Sequence, residues 1–175
     1  MENNFSLRTD EELAQVYQRN VNMVYKLCYI YLKDSADAED AVQSVFLKLL
    51  KSHIIFNDHE HEKAWLIVAT KNHCKDVFKS WWRQQRVNFD TLPKVASQEE
   101  DKQVGEVLTK LLALPEKYRI ILHLYYFEEY SVKEISELLG SNESTVRTRL
   151  QRGRERLKKD LGGEYFGQKD YKGNI

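Results

Sequence analysis

The segment from Ser131 to Asn142 constrains the fold of this chain more than any other part of its sequence. Ser131 and Glu134 have the spacing of a capping box, in which each side chain accepts a hydrogen bond from the backbone amide of the other residue. Gly140 readily takes the left-handed conformation at which many helices end, and Asn142 is a preferred cap for a following helix. The pattern predicts a short helix, a tight turn and a longer helix, which is the layout of a helix-turn-helix motif.

The second helix of this motif is predicted to extend from Glu143 to about Asp160. On a wheel of about 100° per residue, four residues share an inward side: Val146, Leu150, Gly153 and Leu157. The other side displays residue types that suit base edges and phosphates in a DNA major groove: Ser144, Arg147, Thr148, Gln151 and Arg152. This helix contains seven basic side chains and three acidic ones, an excess of four positive charges. A charge run ordinarily marks a solvated surface helix, but its combination with the caps and the tight turn favours DNA binding.

Two helices are predicted near the amino terminus. Apolar residues at three-and-four spacing, Tyr17 among them, predict a first helix from Glu11 to Leu32. A second helix begins in the run 34–40, where capping residues and carboxylates suit the positive end of a helix dipole. Its apolar residues continue to Leu50.

Residues 53–62 have no clear period and are expected to form a loop or a short irregular turn. A third helix is predicted from about Lys63 to Gln85. Trp65 is expected to pack in the core, because a tryptophan at helical spacing is more often packed than exposed. The segment 71–86 contains five basic residues and one acid, Asp76, and forms a first basic surface.

The remainder of the chain is read as a linker, a second helical block and a tail. Residues 88–103 include a proline and an acidic run without a period, which predicts a flexible linker. Helices follow at 104–112 and 118–127, with Pro115 at a helix start, where its missing amide proton costs nothing. Residues 162–175 contain four glycines and are expected to form a flexible tail.

Only two prolines and seven glycines occur in 175 residues, and the polar positions are rich in good helix formers. The predicted fold is therefore all-α. It consists of two small helical domains, residues 8–87 and 104–161, joined by the linker, and the second is a helix-turn-helix domain.

The formal net charge is zero, with 27 basic and 27 acidic residues, so a uniformly basic coat for nucleic acid is excluded. Any such binding must come from segregated charge. Cys28 and Cys74 are too few for a disulfide framework and are expected to be buried thiols in a reducing cytoplasm. Neither a signal sequence nor a stretch of about 20 apolar residues is present, so neither export nor membrane insertion is expected.

From about Glu11 to Leu161, the order of these segments resembles the extracytoplasmic-function group of bacterial sigma factors. Residues 37–49 resemble the family's region-two segment, which docks on the clamp helices of the largest polymerase subunit. Residues 64–76 resemble the helix that recognises the minus-ten element as unwound single strand. Residues 114–119 and 144–150 resemble region four, which recognises the minus-thirty-five element as duplex. The resemblance implies a sigma factor that directs core polymerase to promoters and assists melting, with no catalysis, cofactor or metal.

The resemblance also implies three sets of site residues. Polymerase contact is expected from Asp40, Gln43 and Phe46. Single-stranded DNA is expected to contact Asn72, Lys75, Lys79, Trp82 and Arg83. Duplex DNA is expected to contact Ser144, Thr145, Arg147, Thr148, Gln151 and Arg152. The implied partners are core RNA polymerase, through its clamp helices and flap, promoter DNA, and an anti-sigma factor.

This division is physically reasonable, because a groove-sized helix suits duplex DNA whereas basic residues near aromatic rings suit single strands. Trp81 and Trp82 are adjacent, so one of them is expected to be exposed. The segment 56–62, which grips a flipped base in the family, is unusually rich here in histidine and acid.

Two other functions stay open from the residues alone. A stand-alone helix-turn-helix regulator, with an amino-terminal domain that dimerises or senses a ligand, would bind a palindromic duplex tightly by itself. A small metal-dependent hydrolase would use His59, His61 and nearby carboxylates. Alternating histidines in a loop, however, lack the i, i+4 spacing of helical zinc sites, and no nucleophile motif is present.

Overall fold

The computed structural model describes residues 9–85 and 102–161, and in these ranges every regular element is a helix. Two compact units divide the chain, one within residues 1–95 and the other within residues 96–175. The helices are α1 Asp10–Leu32, α2 Ser35–Lys51, α3 His59–Gln85, α4 Lys102–Ala113, α5 Glu116–Tyr126, α6 Val132–Leu139 and α7 Glu143–Leu161. The prediction of an all-α chain is confirmed.

The start of α3 corrects the sequence prediction. Residues 59–62, expected to belong to a loop, form the first turn of this helix. Asp58 explains the difference, because its Oδ1 accepts from the backbone N of His61 at 2.7 Å. A carboxylate that accepts from an amide of the first turn stabilises a helix start. Only residues 52–58 remain as the connection between α2 and α3.

Other boundaries differ by one or two residues. Helix α4 begins at Lys102, within the segment expected to be linker, and α5 begins at Glu116, immediately after Pro115. Lys102 and Gln103 are good helix formers, which extends α4 in the amino-terminal direction. The rest of the expected linker, and the tail, lie outside the described residues.

In the first unit, α1, α2 and α3 pack against one another. Their shared core is formed by apolar side chains from all three helices: Val24, Leu27, Cys28, Val45, Leu49, Leu66, Ile67 and Cys74. Both cysteines are buried free thiols, as expected. Trp65, in contrast, is half-buried and packs at the edge, with its ring centroid 6.0 Å from that of Phe56.

A buried carboxylate connects α1 to α3. Glu62 is 5% exposed, and its Oε1 accepts from Asn20 Nδ2 at 2.6 Å. The Arg19 guanidinium donates to the Glu62 Oε2 at 3.0 Å. Asn20 also donates to the carbonyl oxygen of Val16 at 2.9 Å. Because buried carboxylates are tolerated only when they are paired and hydrogen-bonded, this network fixes where α3 begins against α1.

In the second unit, α7 packs against α4, α5 and α6. Gly153 is buried, and a Cβ added there would lie 2.9 Å from Cδ1 of Leu122 and 3.3 Å from Cβ of Tyr118. The absence of a side chain therefore lets α5 and α7 approach closely. In the parts of the chain that are described, no helix is both long and apolar enough to cross a membrane.

Candidate nucleic-acid and polymerase interfaces

The helix-turn-helix in the second unit has the geometry that its sequence predicts. Glu134 N donates to Ser131 Oγ at 3.3 Å, and Ser131 N donates to Glu134 Oε2 at 2.8 Å, which completes the capping box. The hydrogen bonds from Ser131 lower the pKa of Glu134. Gly140 has a φ of 63° and ends α6, and Asn142 Oδ1 accepts from Thr145 N at 2.8 Å to start α7. These caps fix the turn between the two helices.

The inward and outward sides of α7 also lie where they were expected. All four inward residues are buried: Val146, Leu150, Gly153 and Leu157. Of the six residues expected to contact duplex DNA, Thr145 is half-buried. The other five are exposed: Ser144, Arg147, Thr148, Gln151 and Arg152. We call the surface formed by these six residues the reading face.

Two side chains of the reading face are held by carboxylates on the same helix. Arg147 Nη2 donates to Glu143 Oε2 at 2.7 Å, and Gln151 Nε2 donates to Glu155 Oε1 at 3.0 Å. Both pairs have i, i+4 spacing and are exposed, so each costs little to break. A base edge could therefore replace the carboxylate as the partner of Arg147 or Gln151.

A cleft of about 310 Å³ lies between the start of α5 and the reading face. Its walls contain Lys117 and Tyr118 from α5 and five residues of α7: Ser144, Thr145, Thr148, Arg149 and Arg152. The ammonium of Lys117 and the guanidinium of Arg156 each lie 5.1 Å from the centroid of the Tyr118 ring. Lys117 and Arg149 belong to the two segments that resemble region four, but neither was among the individual residues expected to contact DNA. The packing of α5 against α7 brings them together.

In the first unit, Asn72, Lys75 and Lys79 are exposed on α3, as a single-strand surface requires. Lys79 Nζ lies 3.5 Å from Asp76 Oδ1, an exposed ion pair that DNA phosphates could displace. Burial, and secondarily the charge of Lys75, lowers the pKa of Lys71. Trp82 and Arg83 belong to α3, but their side chains lie outside the described part. Trp81 is exposed.

Aromatic packing holds the connection between α2 and α3. The Phe56 ring lies edge-on to the His61 ring at a centroid distance of 5.4 Å. Asn57 N donates to Nδ1 of His61 at 3.3 Å, so this histidine, in the first turn of α3, accepts a hydrogen bond from the loop. Ile55 is left 73% exposed. Within residues 9–85 and 102–161, no three His, Cys, Asp or Glu side chains are grouped to hold a metal ion.

The expected polymerase contacts lie on α2 beside exposed apolar residues. Asp40 and Gln43 are exposed, and Phe46 is half-buried with its ring 4.7 Å from that of Tyr17. Tyr17 and Leu50, read from the sequence as part of the apolar stripes, are 45% and 55% exposed, and Leu47 is 51% exposed. We call this surface the α1–α2 face: Tyr17, Asp40, Gln43, Phe46, Leu47 and Leu50.

Sequence reasoning missed the apolar part of this face, because an amphipathic stripe wider than the helix contact looks the same in sequence as a buried one. Asp37 lies at its acidic end. Burial, followed by repulsion from Asp34 and Asp40, raises the pKa of Asp37. The face thus combines an acidic end with exposed aliphatic side chains.

Both units match established protein families. Residues 16–86 match Sigma-70 region 2, and residues 105–157 match the family described as Sigma-70, region 4. A chain that contains both regions belongs to the sigma-70 class of transcription initiation factors.

Two sigma factors of similar sequence show to which group of this class the chain belongs. The chain is 31% identical over 152 residues to the ECF RNA polymerase sigma factor SigM of Bacillus subtilis (strain 168), covering 83% of this chain and 93% of that protein. It is 29% identical over 170 residues to the ECF RNA polymerase sigma factor SigW of the same strain, covering 86% and 87%. The chain therefore belongs to the ECF group of RNA polymerase sigma factors.

Among solved structures, the fold is similar to that of the sigma factor RpoE from Bartonella quintana, crystallised with the anti-sigma factor NepR. The TM-score is 0.77 at 16% identity, with 89% of this chain and 99% of that one covered. As a sigma factor, the chain binds core RNA polymerase and promoter DNA and directs the polymerase to promoters. The stand-alone regulator is not favoured.

Proposed function

We propose that the two units of this sigma factor divide promoter recognition between two forms of DNA. The second unit recognises the upstream element as duplex through the reading face. The first unit binds the polymerase through the α1–α2 face and captures the unwound minus-ten strand on α3. The observation that supports this division most directly is the exposed position of Arg147 and Gln151 on α7, opposite its buried side.

The duplex proposal rests on the chemistry of the reading face. Arginine can donate two hydrogen bonds to guanine and glutamine can do the same with adenine, and both pairings occur in the major groove. Arg147 and Gln151 are one helical turn apart, so they would face neighbouring base pairs. The hydroxyls of Ser144, Thr145 and Thr148, together with Arg152, add polar contacts at the edge of the same face.

The single-strand proposal rests on α3. Asn72, Lys75 and Lys79 are exposed on one helix, and Trp82 and Arg83 follow on the same helix. Cationic side chains can track the backbone of an unwound strand while an aromatic ring stacks on its bases. The two domains, residues 8–87 and 104–161, would engage together because the linker keeps each at a high effective concentration for its DNA site.

Transcription reconstituted with core polymerase tests the division. Template one is a fully paired promoter, and template two is the same promoter with the minus-ten segment already unpaired. The double variant Lys75→Ala, Lys79→Ala should lose transcription on the paired template and recover part of it on the opened one. Arg147→Ala should be equally impaired on both. Equal recovery of both variants would contradict the division between the two units.

Core binding tests the α1–α2 face. Gln43→Ala and Leu47→Ala should weaken assembly with core polymerase, because both side chains are exposed and neither supports the core of the unit. Lys48→Ala is the matched control, since Lys48 is exposed on α2 outside this face. Asp40→Ala and Phe46→Ala complete the set. Assembly reduced as much by Lys48→Ala as by Gln43→Ala would argue against the proposed face.

The same proposal includes a place of action and a regulator. The protein acts in the cytoplasm with the polymerase, has no catalytic activity of its own, and requires no cofactor or metal. An anti-sigma factor holds it inactive, as suggested by the structurally similar RpoE, which was crystallised with one. Purification of the tagged chain from its own cells should yield a stoichiometric partner that blocks assembly with core polymerase. Recovery of free, assembly-competent protein would count against this regulator.

A further inference from the structure

The cleft between α5 and α7 gathers three cationic side chains from two helices. Lys117 comes from the first turn of α5, and Arg149 and Arg152 come from α7. Across the described parts of the chain, none of these three forms an ion pair, and no carboxylate lines the cleft. Arg147, which belongs to the reading face but does not line the cleft, does form an ion pair, with Glu143.

Three like charges around one cavity repel each other in the free protein, and no internal counter-charge offsets that cost. The other polar groups in the wall are hydroxyls, which can donate to an anion: Ser144, Thr145 and Thr148. The ring of Tyr118 forms the apolar part of the wall. Such a combination of cations and hydroxyl donors suits a tetrahedral oxyanion.

We propose that this cleft binds one phosphate of the DNA backbone, next to the bases that the reading face recognises. The inference rests on the proposed duplex recognition and extends it to two residues outside the reading face. Lys117 supplies a point charge from α5, and the planar guanidinium of Arg149 supplies directional donors from α7. Because the two groups lie on different packed helices, the bound phosphate sets the angle at which α7 enters the groove.

A contact of this kind positions the protein without carrying sequence information. Arg147 and Gln151, in contrast, discriminate bases. Substitutions in the cleft and substitutions of Arg147 or Gln151 should therefore change DNA binding in two different ways. Loss of a phosphate contact weakens binding to all sequences alike and lowers its salt dependence, whereas loss of a base contact changes the preferred sequence.

The variants Lys117→Gln and Arg149→Gln test the proposal. Lys26→Gln is the control for the loss of one positive charge, because Lys26 is exposed on α1, outside the cleft and the reading face. Holoenzyme binding is measured on a library randomised in the upstream element, at several salt concentrations. The full chain alone is measured in parallel on random-sequence duplex at low salt. Circular dichroism confirms that each variant is folded.

Each cleft variant should weaken holoenzyme binding to every library member by roughly threefold to tenfold near physiological salt. It should also reduce the slope of log affinity against log salt by about 0.9. Binding of the full chain to random-sequence duplex should show the same reduction in salt dependence, and Lys26→Gln should resemble the wild type. A changed base preference, or an unchanged slope, would overturn the phosphate site. Failure of the wild-type holoenzyme to select any upstream sequence would instead refute the duplex recognition on which the proposal rests.

Discussion

At the scale of single residues, Arg147 has the clearest expected effect on promoter choice. Its side chain is 64% exposed, and among the described residues its guanidinium is paired with the carboxylate of Glu143 alone. Replacing it with alanine should weaken upstream-element recognition by roughly 1–3 kcal/mol if the arginine makes two hydrogen bonds to one base. In a binding assay on promoters with single base-pair substitutions, the variant should lose discrimination between bases at one position and keep it at the others.

Glu143→Gln provides the control for that prediction. It removes the charge that competes with DNA for Arg147 but leaves the guanidinium in place. Promoter binding should therefore stay the same or strengthen. Transcription from a cognate promoter that is indifferent to Arg147→Ala would show that this arginine makes no base contact.

The sequence predicted which side of α7 is exposed, but it did not predict that Lys117 and Arg149 line one cleft. Residues 144–152 can be assigned to sides of a helix because the 3.6-residue period relates sequence directly to direction. Lys117 lies 32 positions before Arg149, and no local period relates the two. Only the close packing of α5 on α7 makes them neighbours. Tyr17 illustrates the opposite error, since its position in an apolar stripe did not mean that it was buried.

At the scale of the helix, the capping box of α6 makes stability depend on pH. Hydrogen bonds from Ser131 lower the pKa of Glu134 in the folded protein. A lowered folded pKa means that the ionised carboxylate stabilises the fold above its unfolded pKa. That contribution disappears as pH falls through the folded pKa.

The variant Glu134→Gln measures this effect, because glutamine keeps an acceptor for the Ser131 amide and removes only the charge. The wild type should be more stable than the variant at pH 7, and the difference should shrink below roughly pH 4. Denaturant unfolding of the second unit at several pH values measures it. A difference in unfolding free energy that stays constant on acidification would mean that the charge of Glu134 contributes nothing to the cap.

The start of α3 depends on the buried Glu62, which leads to a second prediction at this scale. Asn20→Ala removes the shortest hydrogen bond to that carboxylate and leaves the buried Oε1 with only the bond from Arg19 at 3.3 Å, which should cost about 2 kcal/mol of unfolding free energy. Arg19→Ala should cost at most about 1 kcal/mol, since the arginine is 40% exposed. Equal losses in chemical denaturation would contradict this ranking.

Helix starts show why part of the fold could not be read from sequence. The start of α6 was predicted because Ser131 and Glu134 form a recognisable capping pair before an apolar stripe. No such capping pair precedes α3, and the inward residue of its first turn is the charged Glu62. The hydrogen bonds from Arg19 and Asn20 that make this position favourable come from residues more than 40 positions away. Tertiary contacts therefore decided where α3 begins.

At the scale of the whole molecule, each unit has its own core, so each should unfold by itself. All three tryptophans, Trp65, Trp81 and Trp82, belong to the first unit. Tryptophan fluorescence therefore monitors only that unit, whereas circular dichroism monitors the helices of both. The two signals should give different transitions on unfolding, which is the mark of more than two states.

Gly153→Ala separates the two transitions. Alanine improves helix propensity by up to about 1 kcal/mol, but its Cβ would meet the fully buried Leu122 at 2.9 Å. Overpacking of this kind costs about 1–3 kcal/mol, so the net effect on the second unit should be destabilising. The circular dichroism transition should shift and the fluorescence transition should not. Parallel shifts of both signals would show that the units unfold together.

The division into two helical units followed from sequence because the periodic segments fall into two blocks. The boundaries of the domains remain a prediction, and the expected linker and tail lie largely outside the described residues. Family membership also followed from short segments, since residues 37–49 and 64–76 carry the resemblance to region two. Surfaces made of several helices, the α1–α2 face and the cleft, required coordinates.

The contact at Gly153 has a consequence for how this protein can change its promoters. Because α7 is seated directly on α5, the buried side of the helix cannot rotate or slide without disturbing the core. The exposed side of α7 does not take part in this packing against α5. Arg147 and Gln151 could therefore be exchanged for other side chains as a pair, which would give a regulator retargeted to new DNA sites with its folding stability intact.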